Sequence, residues 1–545
     1  MRDAKRVTSV LISMSVFLSA CAGPAFGAPP RLSPEQVRAG MNQRAESATV
    51  PRLVQLVDER RLQTLNLDEP EAGFGIDTSK ETLRDINKLI TPAGYRLKYR
   101  FREIGVPVAQ ALSLSHDRQL QQRLLETARF QSGQRSRSES LLVLSVQKNP
   151  DHLKIFKEAL LDRDVAIQFA AVECLQAWNL PEALPLLLNA SERDWSPLVR
   201  VFSAQAILRM GAPEGREQLI KFLTDQNWLM RAMAARYLGD LGKPEDADLL
   251  LGRIAAERDN NFVLAELCLA GLKLWSRRGP APRNVEPPTP KPSSPKPAVV
   301  ANLFELEPLV VTAPRLKVSG AQLIPPQIDT ELIGLLERLA QEPVPEFVVD
   351  PNVSQLRQLV TPQGYGLYVR YTDVNALLAE GLAGTTNMTL IYRLETIAKS
   401  SRNASSRATA FVALGYDVTR VDLSIFEYAL RDPALQIRFG AVEGLAAQRN
   451  PMVRGMLAGS AQTDSSPVVR LYAAQALGRR GDAQGVDILR RYLNDQDWAI
   501  RSLATFFLGQ LGDDADFERM LINLERETQN HVIAENSLAV LRMSQ

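Results

Sequence analysis

Along most of this chain apolar residues recur at intervals of three and four, the spacing of one face of an α-helix. The pattern is clearest after Asp194-Trp195-Ser196-Pro197-Leu198-Val199-Arg200. Ser196 is placed to N-cap a helix, and Pro197 suits its first turn, where no backbone donor is lost. Val199, Phe202, Ala206, Ile207 and Met210 then form one apolar stripe, which Gly211 ends. The same kind of opening recurs at Ile167-Gln168, Val199-Arg200, Met230-Arg231 and Val263-Leu264, spaced by 32, 31 and 33 residues. That period predicts a stack of helical hairpins, each too poor in apolar surface to stand alone and each burying its face on the next.

A longer repeat contains the shorter one. With a shift of 270 positions and no gap, residues 155–242 and 425–512 are identical at 36 of 88 pairs. Arg137 to Val146 and Arg407 to Gly415 extend the match, so each copy holds about five hairpins. Ahead of them lie two related segments, Thr91-Pro92-Ala93-Gly94-Tyr95-Arg96-Leu97-Lys98-Tyr99-Arg100 and Thr361-Pro362-Gln363-Gly364-Tyr365-Gly366-Leu367-Tyr368-Val369-Arg370. Residues 83–90 and 353–360 suit a short helix, Pro-x-Gly reads as a turn, and the alternation after it reads as a strand. The fold class expected is all-α: an α-solenoid in two tandem-duplicated halves, each with a small helix-strand element capping its first hairpin.

The organisation expected is a signal segment over 1–20, a tether over 21–50, and a cap element over 51–117. Repeats follow over 118–276, a proline-rich linker over 277–303, a linker strand over 304–320, a second cap over 321–387 and further repeats over 388–545. Eight prolines between Arg277 and Pro297 forbid a packed helix there and favour separable halves.

Charge and composition then remove classes of function. Against 64 basic residues stand 62 acidic ones, so nothing global attracts nucleic acid. Three cysteines and three histidines in 545 residues give little material for a metal cage or a disulfide framework. Cys174 lies in an apolar helix where the second copy has Gly444, Cys268 is similar, and His116, His152 and His531 are scattered. No catalytic residue, metal or cofactor is expected. Arg200, Arg231, Arg470 and Arg501 each open a second helix shortly after an acid, Asp194, Asp225, Asp464 and Asp495, and are expected to form a structural ladder. Trp228 and Trp498 occupy the same place in both copies and are expected to fill seams between hairpins. Gln205 and Gln475 each sit within Ala-Gln-Ala and turn away from the apolar stripe, which makes them candidate partner-binding residues of a concave face.

Three resemblances bear on function. Asp464 to Arg470 followed by Ala473-Ala474-Gln475-Ala476-Leu477-Gly478 resembles HEAT repeats of the short type also found in phycobiliprotein bilin lyases, over about 118–275 and 388–543. That likeness implies first helices on the convex side, second helices on the concave side, and use as a protein-binding scaffold; it also brings in a lyase-like enzyme as the least favoured alternative. At the N-terminus Arg2, Lys5 and Arg6 precede the apolar stretch Val7 to Leu18, which is too short to span as an ordinary transmembrane helix and reads as a secretory signal. Leu18-Ser19-Ala20-Cys21 resembles the lipobox of bacterial lipoproteins, implying lipid attachment at Cys21, and Ala22 implies an outer-membrane lipoprotein facing the periplasm. In the linker, Phe304 to Arg315 resembles the TonB box in its Val310-Val311-Thr312-Ala313 core, and such a box acts by strand addition. The expectation is a non-enzymatic, lipid-anchored scaffold that binds another envelope protein, with an accessory of a TonB-linked or secretion assembly as the alternative.

Overall fold

Short polar side chains and prolines start the helices. Asn403, Asn387 and Asp497 each accept a hydrogen bond from the backbone N–H two residues on, and Pro197, Pro213 and Pro467 occupy first turns. Gly211 and Gly481 follow equivalent helices with φ of 88° and 77°, a left-handed conformation that ends each helix at little steric cost. The computed structural model describes residues 33–56, 79–277, 326–341 and 351–545, apart from 103, 116, 131–132, 147–148, 258–259, 357, 360, 384, 386 and 418–421. The signal, Cys21, His116, most of the proline-rich linker and the 304–315 stretch lie outside these residues.

The first half comprises α1 (Pro34–Leu56), α2 (Lys80–Lys88), α3 (Pro92–Arg102), α4 (Gly105–Leu114), α5 (Arg118–Phe130), α6 (Gln134–Val146), α7 (Leu153–Leu160), α8 (Val165–Trp178), α9 (Leu184–Arg193), α10 (Pro197–Arg209), α11 (Pro213–Phe222), α12 (Trp228–Leu241), α13 (Asp246–Ile254) and α14 (Asn261–Arg277). The second comprises α15 (Pro326–Gln341), α16 (Pro351–Leu356), α17 (Pro362–Thr372), α18 (Val374–Leu382), α19 (Met388–Ser400), α20 (Ala404–Gly415), α21 (Ser424–Ala429), α22 (Leu435–Ala447), α23 (Val453–Thr463), α24 (Pro467–Arg479), α25 (Ala483–Tyr492), α26 (Trp498–Leu511), α27 (Asp514–Arg526) and α28 (Asn530–Ser544).

Hairpins run from α5–α6 to α13–α14 and from α19–α20 to α27–α28. Their second helices stack side by side as an inner layer, α4, α6, α8, α10, α12, α14, α18, α20, α22, α24, α26 and α28, and α28 packs against α4 again. The stack therefore closes on itself. One apolar core runs from Ala45 to Leu541 through both halves. An open solenoid must cover the apolar face of each terminal hairpin; here each terminal hairpin covers the other.

Several expectations are corrected by this closure. The Thr-Pro-x-Gly segments start helices rather than strands: Thr361 accepts from the Gly364 N–H, Thr91 from the Gly94 N–H at 3.2 Å, and a proline follows in the first turn. Tyr95, Leu97, Tyr99 and Phe101 alternate in sequence but belong to α3, and among the described residues no strand occurs. A Cβ on Gly94 would lie 2.5 Å from the Leu89 Cβ, so glycine is what lets the chain turn back onto Leu89. Nor do these elements cap their own repeats. α1 pairs with α4, and α15 with α18, as one further hairpin per half, and α2–α3 and α16–α17 are insertions within those hairpins.

The stretch read as a tether also differs from its expectation. From residue 34 onward it is helical, and Ala45, Thr49, Leu53 and Leu56 bury one stripe of α1, which packs on α27 and α28. Its polar composition reflects the exposed face alone. Finally, whatever the proline-rich linker does, the halves share two extensive seams, α14 with α15 and α18, and α28 with α1 and α4.

Candidate interaction sites: two crossed helices inside the ring

The helices inserted in each half cross to the other half. α2 lies across α22, α24 and α26, with the Ser466 hydroxyl donating to Asp85 at 2.8 Å and the Thr82 hydroxyl to Asp497. At the head of α3 the Ala93 N–H donates to Glu443 of α22 at 3.1 Å. The head of α17 makes the counterpart contact, the Thr361 hydroxyl donating to Glu173 of α8 at 3.1 Å. Glu173 and Glu443 are 270 positions apart, as are Thr91 and Thr361. Each array thus receives an N-capped helix supplied by the other half, on the face where a partner was expected.

The far ends of the two inserted helices are fixed by buried arginines. Arg370 donates to Glu266 through Nη2 at 2.8 Å and to Glu380 through Nη1 at 3.0 Å. Lys273 joins this cluster at 2.9 Å from Glu380 and 2.8 Å from Asp240. Burial works against every charge in it, yet the mutual attraction prevails: Glu380 and Asp240 are held below the usual carboxylate range by Lys273, and Arg370 is pushed up by Glu266 and Glu380. At the other seam Arg100 pairs with Glu535, donates to Gln110 at 3.1 Å and lies 3.9 Å from the centre of the Phe506 ring.

Between the arginines, α3 and α17 touch. Tyr99 and Tyr365 stack at 4.0 Å, and the Tyr95 hydroxyl donates to Asp373, so the inside of the ring is filled where they cross. Burial, with Asp373 beside it, pushes the Tyr95 phenol well above its ordinary range, which keeps it a donor.

The residues singled out from sequence fall as follows. Arg231 and Arg501 donate through Nη1 to the backbone carbonyls of Asp225 and Asp495, both at 2.8 Å, and Arg470 to that of Asp464 at 2.6 Å. The charge partner is one turn further along the stack: Glu257 for Arg231 and Glu527 for Arg501, while Arg438 reaches Asp464. The aspartate side chains cap their own turns, Asp194 and Asp464 each accepting from a serine N–H at 2.8 Å. Asp225 and Asp495 do the same for Asn227 and Asp497, at 2.8 and 2.9 Å. Arg470 also donates to the Tyr492 hydroxyl at 2.8 Å; the first copy has Phe222 there, and the Arg200 Nε is buried without an acceptor.

Trp228 and Trp498 sit where α12 and α26 meet the inserted helices, Trp228 edge-on to Tyr371 at 6.2 Å and Trp498 at 6.4 Å from Phe101. Gln205 and Gln475, expected on an open concave face, are buried. With the Gln176 amide oriented to satisfy its neighbours, its nitrogen donates to the Gln205 oxygen at 2.8 Å, so that glutamine's polarity is used inside the protein. The physical reason for Gln205 is the close packing of neighbouring inner helices: Gln176 lies on α8, which packs beside α10 and covers the face that helical periodicity left open. Cys174 and Cys268 are buried, which pushes both thiols up and keeps them protonated. Among the described residues no group of acids, histidines and cysteines is placed to hold a metal ion.

Sequence reasoning missed the Arg100 and Arg370 clusters. The signal was present: each arginine ends a Thr-Pro-x-Gly-Tyr segment, and Glu266 and Glu535 each interrupt an apolar helix. A lone charge in such a run needs a partner, although nothing local says where it lies.

The class of fold is a closed, all-helical solenoid of stacked hairpins. Two stretches within it, residues 184–270 and 453–541, match the family model for HEAT repeats. No curated protein matches the sequence. Among solved structures, human deoxyhypusine hydroxylase in complex with glycerol is 16% identical over 67% of this chain and 97% of its own, with a TM-score of 0.22. Kap121p is 12% identical over 95% of this chain and 51% of its own, with a TM-score of 0.31. Kap121p bound to Nup53p is 12% identical over 93% of this chain and 49% of its own, with a TM-score of 0.32. This chain spans about half the length of Kap121p.

Proposed function

We propose that this chain is a non-enzymatic scaffold of the bacterial envelope, exported by its N-terminal signal, anchored through a lipid on Cys21, and binding another envelope protein on the outer helices of its second half. One observation carries the choice of surface. Met388, Tyr392, Tyr428 and Met452 are large, apolar and exposed on the outer layer of three successive hairpins, α19–α20, α21–α22 and α23–α24. At the same positions the first copy has Arg118, Gln122, Glu158 and Glu182. The fold is satisfied by polar residues there, so the methionines and tyrosines serve something other than folding. Tyrosine and methionine are enriched in protein interfaces, where they supply contact area at low entropic cost. The inner faces, which the HEAT resemblance offered for partners, are supported in this role by their occupants only, since each already holds a helix of the other half.

A photo-crosslinking residue at position 392 tests the reading in intact envelopes. A discrete protein adduct is expected there, with none from a crosslinker at position 122. Tyr392→Gln combined with Tyr428→Glu should abolish capture while leaving the melting temperature in place. Capture that survives this double substitution but fails when residues 304–315 are deleted would replace the reading with strand addition through the Val310-Val311-Thr312-Ala313 segment. For the anchor, Cys21→Ser is expected to abolish labelling by a fatty-acid probe and to release the protein from membranes.

A further inference from the structure

The first half has an exposed apolar feature of its own, at the ends rather than the outer faces of its hairpins. Phe130, Leu161 and Trp195 lie in or beside the turns of α5–α6, α7–α8 and α9–α10, and are 81%, 80% and 65% exposed. These turns are neighbours. Arg137, just after the first, reaches Asp162 in the second at 2.7 Å, and Gln168, just after the second, reaches Asp194 in the third at 3.2 Å. The three side chains therefore stand in a row along one edge of the ring, one per repeat. The second copy has Ser400, Arg431 and Ser465 at these positions, so the fold does not require them to be apolar.

Their surroundings indicate what they meet. Arg129, Arg163 and Arg193 are exposed within two residues of the apolar tips. The acids of the same turns are engaged: Asp162 with Arg137, Asp164 with the Ala166 N–H, and Asp194 with Ser196 and Gln168. Exposed Glu126, Glu158 and Glu192 lie about one helical turn back, roughly 5 Å from the tips along the helix axis. The edge thus presents knobs of tryptophan, phenylalanine and leucine interleaved with arginine. Exposure this high describes protrusions, whereas a docking site for a peptide is a recess that half-buries its apolar lining. Tryptophan at a boundary between water and hydrocarbon, apolar side chains that enter it, and arginines whose stems follow them while their heads stay at the phosphates are the components of interfacial membrane attachment.

We infer that the turn edge of α5 to α10 rests on a lipid bilayer surface, inserting Phe130, Leu161 and Trp195 and setting Arg129, Arg163 and Arg193 against anionic headgroups. This contact orients the ring relative to the bilayer, independently of any covalent anchor.

The test uses the full chain carrying Cys21→Ser, so that an attached lipid contributes nothing, floated with vesicles of phosphatidylethanolamine and phosphatidylglycerol. The chain is expected to float. Phe130→Ser, Leu161→Arg and Trp195→Ser together install the second copy's residues; they should lower the partition coefficient by roughly tenfold or more without shifting the melting temperature. Brominated lipid should quench part of the tryptophan fluorescence in the parent and none of that part in Trp195→Phe, a readout that needs no disruptive substitution. Arg129→Gln, Arg163→Gln and Arg193→Gln together should weaken binding to anionic vesicles and leave binding to purely zwitterionic ones unchanged. Failure of the parent to float, or equal flotation of the triple apolar variant, overturns the inference. So does a discrete protein adduct from a photo-crosslinking residue at position 195 of the otherwise unaltered chain, with the triple apolar variant floating as the parent does, which would make the edge a protein-docking surface. None of these outcomes depends on the partner surface at Tyr392.

Discussion

The two halves are alike inside and unlike outside. Arg100 and Arg370 do the same work at the two seams, but Arg370 sits among Glu266, Glu380, Lys273 and Asp240, whereas Arg100 has Glu535, Gln110 and the Phe506 ring. Outside, the first half has exposed Phe130, Leu161 and Trp195 where the second has Ser400, Arg431 and Ser465, and the second has exposed Met388, Tyr392, Tyr428 and Met452 where the first has Arg118, Gln122, Glu158 and Glu182. Burial penalises an unpaired charge or a lost methylene, so the interior tolerates few solutions. Solvent penalises neither a serine nor a tryptophan on a turn by much, and there the copies are free to take different tasks.

The sharpest way to break the likeness is at the seams. Arg370→Met leaves two buried carboxylates facing one lysine and is expected to cost about 3–5 kcal/mol in urea unfolding, with Arg100→Met costing measurably less because only Glu535 is stranded. Because the halves interlock, either variant should lower one shared transition; an unfolding curve that splits into two would show the seams to be dispensable.

Trp228→Ala and Trp498→Ala come next, at about 3 kcal/mol each, since both indoles are half-buried against an inserted helix. Equal losses would mean that Tyr371 and Phe101 are equivalent contacts, and calorimetry of the two variants compares them directly.

The pH dependence separates the grooves. Burial pushes the Glu443 carboxyl up to about 7, against the lowering effect of Thr91, Ala93 and Arg96. A folded-state value above the unfolded one of 4.5 means that its stabilisation is fully present below pH 4.5 and is lost as pH rises through about 7. Burial pushes His531 down to about 4, so its contribution is present above pH 6.5 and is lost as pH falls through about 4. Glu443→Gln should flatten the decline toward pH 8, by an amount of at most about 3 kcal/mol. Phe262 packs on Trp228 as His531 packs on Trp498, so a stability loss between pH 6.5 and pH 4 that persists in His531→Phe would assign it elsewhere.

Smaller effects attend the ladder. Tyr492→Phe removes the acceptor of Arg470 and is expected to cost about 1 kcal/mol, while Phe222→Tyr offers one to Arg200 and should stabilise by about 0.5–1 kcal/mol. A destabilised Phe222→Tyr would indicate that its ring has no room for a hydroxyl. Exchanging Met388, Tyr392, Tyr428 and Met452 for Arg, Gln, Glu and Glu should change stability by no more than about 0.5 kcal/mol per site, the smallest effect here and the one that isolates binding from folding.

How much of this was legible varied with the range of the interaction. The hairpins were, because their signals lie within a few residues: Ser196-Pro197 before an apolar stripe and Gly211 after it. Thr91-Pro92-Ala93-Gly94 was also a local signal, an N-cap read as a turn because the alternation of Tyr95, Leu97, Tyr99 and Phe101 imitates a strand over so short a run. Gln205 and Gln475 were misplaced for a different reason: periodicity locates a side chain on a helix face and is silent about what later covers that face. By itself, then, the sequence determined most of the helices, the repeat length and the pairing of Thr91 with Thr361 or Arg100 with Arg370 across 270 positions, whereas Ser196 stands at the start of α10 as expected but its side chain makes no capping bond. That α28 returns to α4, that α3 and α17 exchange places between halves, and that Glu535 is the partner of Arg100 were decided by tertiary structure alone. These contacts join residues hundreds of positions apart, and only the accumulated curvature of the whole stack brings them together.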